Sequence, residues 1–285
     1  MSTATTAAGP AGPAAPAGPA ASPAGRVTQA RVLNSELIKL RTLRSTFWTL
    51  LAAVVATFGL GLLFSWGFAG RVGDHAHPMP DAATRAVTVP LQPYVIAQLA
   101  VGVLGVMVIT GEYSTGMIRA TLSAVPGRLP VLWAKAAVFG AVVLVLMEIV
   151  AFATFFGGEA ILSSQHVQAS LSTPQALRIV IGVGLYLTAV GLLGTALGTI
   201  IRSTAGAIAA LFGILLVLPV LGEVLNLTSW GKHITPYLPS NAGGDLLTNA
   251  PDPGSLAPWT GFGLFVLYTA AAMAVAAYLL KRRDA

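Results

Sequence analysis

The sequence predicts an all-α membrane protein of six transmembrane helices with both termini in the cytoplasm, and three observations carry that reading. Apolar runs without charge recur along the 285 residues: Ser45–Gly70, Ala86–Gly111, Ala136–Gly158, Ile179–Ile201, Ser203–Gly222 and Pro253–Leu280, the third interrupted only by Glu148. A helix of about 20 residues crosses the ~30 Å hydrocarbon core of a bilayer, and every run is that long. Charged residues make up 9% of the chain, against roughly 25% in a soluble domain. The basic residues, finally, are lopsided. Arg26, Arg31, Lys39, Arg41, Arg44, Arg119, Arg128, Lys135, Arg202, Lys281, Arg282 and Arg283 fall on one side of the alternating spans, leaving only Arg71, Arg85, Arg178 and Lys232 on the other. The positive-inside rule makes the first side cytoplasmic.

Each segment follows from its residues. Residues 1–25 contain only Met, Ser, Thr, Ala, Gly and Pro, have nothing to bury, and read as a disordered tail. They lack the basic start and apolar core of a signal peptide. Residues 26–45 place Val32, Leu33, Leu37, Leu40 and Leu43 on one helical face, followed by Phe47, with Arg31, Asn34, Ser35, Arg41 and Thr42 opposite. A basic amphipathic helix directly before a span is expected to lie along the cytoplasmic interface. The domain 46–285 then holds spans at about 46–69, 91–111, 133–157, 177–201, 203–222 and 259–280. Trp48, Trp133 and Tyr278 mark the inner boundary, and Trp66, Tyr94 and Trp259 the outer one. The last outer segment, 223–258, is broken by proline and glycine yet keeps Leu225, Leu227, Trp230, Tyr237, Leu246 and Leu247. It reads as short helices dipping into the outer leaflet or capping the bundle.

Composition removes several function classes. The net charge of +6 and pI of about 10 do not signal nucleic acid, because the basic residues flank spans instead of forming a soluble face. The absence of cysteine removes thiol catalysis, disulfides and cysteine-based zinc sites. No His-Glu-x-x-His, Gly-x-Ser-x-Gly or P-loop occurs, and Gly231-Lys232 is followed by His233. Asp74-His75-Ala-His77 offers too few ligands for a metal site. No catalytic residue, cofactor or metal is assigned.

Three polar features stand out. Between spans 2 and 3, Ser114 or Thr115 is placed to cap a short helix and Pro126-Gly127 to end it, with Met117, Ile118, Thr121, Leu122 and Val125 on one face and Arg119 and Ser123 on another. An exposed apolar face at the cytoplasmic surface calls for a partner. Glu148 lies near the middle of span 3, where an ionised carboxylate costs about 2.5–3.5 kcal/mol. Gln98 reaches a similar depth in span 2, within reach of a hydrogen bond, and the pair reads either as a polar patch lining a path or relaying protons, or as an interhelical tie. In span 4, Gly184, Thr188, Gly191, Thr195 and Gly198 form a small-residue stripe for close helix approach, within one subunit or between two.

Two stretches bring these features together: Glu36-Leu-Ile-Lys39-Leu-Arg41-Thr-Leu-Arg44-Ser-Thr-Phe-Trp48, and Glu112-Tyr-Ser-Thr-Gly116-Met-Ile-Arg119 continuing to Pro126-Gly-Arg128 and Lys135. With the six-span layout they resemble the membrane permease subunit of type 2 ABC exporters, over most of residues 26–285. The resemblance implies a noncatalytic permease that pairs with a second copy or a homologue and docks a separate ABC ATPase subunit, and the Ala/Gly/Val-rich composition reads as that of a bacterial plasma-membrane protein. It also implies that residues 112–128 form the coupling helix, with Glu112, Tyr113, Gly116, Met117, Ile118, Arg119, Leu122 and Arg128 as the ATPase-coupling residues. A secondary transporter or channel is the alternative class, and it usually carries more charged or broken spans near the midplane. A noncatalytic scaffold is a third, and would need no coupling helix.

Overall fold

The computed structural model describes residues 29–42, 44–74, 82–117, 128–167, 169–249 and 254–282, and every regular element among them is helical. The tail 1–25, His75 and His77, and residues 118–127 with Ile118, Arg119 and Leu122 lie outside the described residues. Helix α1, Gln29–Thr42, precedes six helices long and apolar enough to cross a membrane. These are span 1 (Thr46–Val72), span 2 (Ala82–Ser114), span 3 (Leu129–Gln165), span 4 (Ala176–Ile201), span 5 (Thr204–Leu225) and span 6 (Pro258–Arg282).

Two spans are irregular, each for a local reason. Span 2 starts as a short helix, Ala82–Thr88, turns through Val89–Leu91 at Pro90, and restarts after Pro93 as Tyr94–Ser114. Proline has no N–H to give and crowds the preceding turn, so the helix cannot run straight through. Span 5 contains a π-turn, Gly213–Val217, in which Leu218 N–H donates to the Gly213 carbonyl, just before Pro219. The wider turn accommodates a proline whose missing N–H would otherwise break the ladder.

Span 4 is the most buried of the six and spans 1 and 5 the least. It packs chiefly on spans 2, 3 and 6, and it separates spans 2 and 3 through the middle of the bundle, so that those two meet mainly towards their ends, at Pro90 with Gly158 and at Glu112 with Lys135. Its small residues explain this central place. A Cβ on Gly194 would lie 2.3 Å from the Gly102 carbonyl oxygen, and one on Gly105 of span 2 would lie 2.0 Å from the Gly191 carbonyl oxygen. Lipid offers no hydrophobic drive for helix pairing, so backbone-to-backbone contact of this kind supplies the packing energy. Thr188 and Thr195 donate to the carbonyls four residues back, at Gly184 and Gly191. The stripe therefore packs within the chain, with Gly184, Gly191, Thr195 and Gly198 all buried.

The segment 223–249 folds as short helices over the end of the bundle opposite the termini. Pro239–Gly244 and the turn Asp245–Leu247 pack on spans 4 and 6 and bury Ala242, Gly243, Leu246 and Leu247. Trp48, Trp133, Tyr278, Trp66 and Trp259 are exposed around the perimeter, as anchors must be. Tyr94 is the exception: it turns inward, edge-on to Tyr186 of span 4 with ring centroids 5.7 Å apart.

Candidate functional site

Helix α1 buries Val32 and Glu36, one turn apart, and leaves Leu33 and Ile38 exposed. A carboxylate on the packed face of an amphipathic helix requires a partner, and Glu36 has two, Lys39 on its own helix and Lys135 of span 3. Lys135, six residues into span 3 and 4% exposed, reaches Glu36 Oε2 at 2.5 Å and Glu112 Oε1 at 2.9 Å. Lys39 reaches Glu36 Oε1 at 2.7 Å and Glu112 Oε1 at 2.9 Å. The order Glu36, Lys135, Glu112, Lys39 closes a ring of ion pairs with no formal net charge. It joins α1, the last turn of span 2 and the start of span 3.

Burial works to lower the Lys39 ammonium, but its hydrogen bonds to Glu36 and Glu112, with the charges behind them, hold it above its ordinary value. The two carboxylates beside it thus favour the charged form of Lys39. Buried ion pairs are poor stabilisers relative to well-packed apolar groups, because desolvation consumes the Coulombic gain. Losing a single partner, in contrast, costs about 3–5 kcal/mol. Such a ring fixes orientation more than it adds cohesion.

The neighbouring residue extends the junction. Arg202 closes the turn between spans 4 and 5 in the left-handed region, φ 60°, and its guanidinium lies 5.3 Å from the ring centroid of Tyr113. Past Tyr113, the hydroxyls of Ser114 and Thr115 donate back to the Gly111 carbonyl, so both are engaged in finishing span 2. Gly116 takes φ 71°, where a side chain is disfavoured, and its N–H donates to the Tyr113 carbonyl. The Glu-Tyr-Ser-Thr-Gly order therefore ends a helix. Met117 is 47% exposed, and Arg128 opens the helix that contains span 3.

Of the residues singled out from sequence, Glu112, Tyr113, Gly116 and Met117 converge at this junction. Gln98 and Glu148 do not meet, contrary to the expectation that a hydrogen bond lies within their reach. Gln98 Oε1 accepts from Tyr186 Oη at 2.6 Å. The Glu148 carboxyl lies in the notch at Gly184, where an added Cβ would be 2.5 Å from its Cδ, and its Oε2 is buried without a partner. The physical reason is that span 4 separates spans 2 and 3, so each polar group meets Gly184 or Tyr186 instead of the other. Sequence reasoning left Glu36, Lys39 and Lys135 out of the site, although an i, i+3 acid–base pair and a lysine at the edge of an apolar run were visible signals. It gave no signal for Tyr186.

The opposite end is held differently. Arg178 donates to the carbonyls of Leu246, at 2.6 Å, and Thr248, at 2.7 Å, and also to Gln175 Oε1. The Asn249 amide donates to the Thr84 carbonyl. No group of metal-ligating side chains gathers among the described residues.

No curated protein matches the chain significantly. A family model described as ABC-2 family transporter protein matches residues 32–222, from α1 through span 5 and more than half of the 285 residues, so the chain belongs to the ABC-2 transporter family as a multi-pass membrane permease component.

Proposed function

We infer that the chain is the noncatalytic permease subunit of an ATP-driven exporter in a bacterial plasma membrane. Both termini and the ion-pair ring face the cytoplasm, α1 lies along the inner interface with Leu33 and Ile38 toward acyl chains, and two copies enclose the pathway. A separate ABC ATPase subunit docks on residues 112–128, including Ile118, Arg119, Leu122 and Arg128. Family membership supports a transport component, and the lopsided basic residues support the orientation.

The observation that carries the coupling is the closed ring of Glu36, Lys135, Glu112 and Lys39. A push on the segment after Glu112 cannot be absorbed by sliding of span 2 past α1 or span 3, since any slip would strand a buried charge. It moves the three elements together, as a rigid body. Span 2 is keyed to span 4 by the Gly102–Gly194 and Gly105–Gly191 contacts, so the displacement reaches the centre of the bundle.

The test is copurification with an ABC ATPase subunit, followed by ATP turnover of the complex in nanodiscs. Arg119→Glu is expected to release the ATPase, and Lys135→Met to keep it bound while uncoupling its turnover. Absence of any ATPase, with Arg119→Glu leaving transport intact, would overturn the proposal.

A further inference from the structure

At the end of the bundle opposite the termini lies a cavity of about 290 Å³, open on one side, that the coupling reading does not use. Spans 2 and 4 form its walls and the turn after Gly244 its roof. Its apolar trough is built from Leu91, Ile179, Val183 and Leu247, all buried. Its polar rim is formed by Thr88, Gln92, Tyr94 and Asn249.

Three observations say what such a space accepts. Among the described residues, no charged side chain lines it. Arg178, beside Ile179, spends its guanidinium on the Leu246 and Thr248 carbonyls, so an ionic head would be desolvated without a countercharge. The Tyr94 hydroxyl and the Gln92 carboxamide line the cavity and make no hydrogen bond to another described residue. They leave a donor and an acceptor free beside an apolar trough, the arrangement that fixes small amphiphiles in pockets. At ~30 Å³ for the share of one water, the volume holds roughly ten non-hydrogen atoms.

The roof is built to give way without disturbing the bundle. Among the described residues, and apart from packing, Leu246–Asn249 are tied over the cavity by the Arg178 bonds and by the Asn249 amide on the Thr84 carbonyl. The floor, in contrast, is fixed. Tyr94 packs edge-on to Tyr186, which stacks at 5.4 Å on Phe265 and donates to the buried Gln98.

We propose that this cavity binds a small uncharged amphiphile, its alkyl part against Val183 and Leu247 and a hydroxyl or carbonyl head at Tyr94 and Gln92. The site does not depend on an ATPase, so it is tested on the full-length chain alone in lipid nanodiscs. The probe is octanol carrying a photoreactive diazirine, with labelled peptides mapped by mass spectrometry and 1-octanol, octylamine and octanoate as competitors. Saturable labelling within residues 84–94, 179–183 or 247–249 is expected, displaced by octanol at concentrations at least tenfold below either charged competitor. Val183→Phe, which fills the trough, should abolish it, and Gln92→Ala, at an exposed rim position, should weaken it severalfold with the fold untouched. Labelling spread along the lipid-facing surfaces, no labelling, equal displacement by all three heads, or indifference to both substitutions would overturn the proposal. None of those results would bear on whether an ATPase drives the chain.

Discussion

At the end that carries the termini, two buried carboxylates, the buried Lys135 and the partly exposed Lys39 close a ring. At the opposite end one guanidinium holds the carbonyls of Leu246 and Thr248, and one carboxamide holds that of Thr84. The ring has no cheap partial state: opening any side leaves a buried charge facing an unmatched one. The cap has many, because a carbonyl released from Arg178 finds water at a net cost of about 1 kcal/mol. On the coupling we propose, one end transmits position and the other yields.

The largest effect should come from breaking the ring. Lys135→Met removes the most buried ammonium and leaves Glu36 and Glu112 to share Lys39, with an expected loss of about 3–5 kcal/mol. Thermal unfolding in detergent should register it, and proteolysis should show α1 released first. Adding Glu112→Gln to Lys135→Met should recover part of the loss, and no recovery would mean that the ring is incidental. The pH dependence has a fixed sign. Because the Lys39 ammonium is held above its usual value of 10.5, its share of stability is fully present below that pH and is lost as pH climbs through the higher folded value.

Next in size is the spine joining the two ends. Gly194→Ala would put a methyl 2.3 Å from the Gly102 carbonyl oxygen, whereas Gly111→Ala, in the same layer of helices, meets nothing within 4 Å. Overpacking of a rigid backbone contact costs about 1–3 kcal/mol. The first variant should lower the unfolding midpoint and the second should not. Arg178→Lys follows, since a point charge cannot fork between two carbonyls. We expect about 1 kcal/mol, seen as faster amide exchange in residues 246–249 with no change in α1.

Why one end was readable and the other was not is a matter of range. Spans and orientation are sums over many residues, and local hydropathy and charge carry them. The two charged stretches around Glu36 and Glu112 were visible because charges are rare in this chain. That they close on Lys135 was not, since which spans neighbour one another is a tertiary property. The same gap misplaced Gln98 and Glu148: equal depth in consecutive spans made them look like partners, but the glycines of span 4 let it slot between spans 2 and 3. Tyr94 shows the limit at single-residue scale. An aromatic residue at a span boundary is usually an anchor, and here the Pro90–Pro93 turn rotates it inward against Tyr186.

The smallest effect should come from the acid that belongs to neither end. Glu148 differs from Glu112 in one respect that matters: Glu112 Oε1 has two ammonium partners, while the Glu148 carboxyl has no ion-pair or hydrogen-bond partner among the described residues. Replacing a partnered carboxylate strands its partners, but replacing this one strands nothing. Glu148→Gln keeps the shape in the Gly184 notch and removes a group that is expensive to ionise at that depth. Stability should therefore hold within about 0.5 kcal/mol or rise slightly. If transport also continues, Glu148 is a packing residue and a proton relay through it is eliminated. If transport stops while the unfolding midpoint stays put, the carboxyl itself is used, and the middle of the bundle becomes a third functional region between a rigid end and a yielding one.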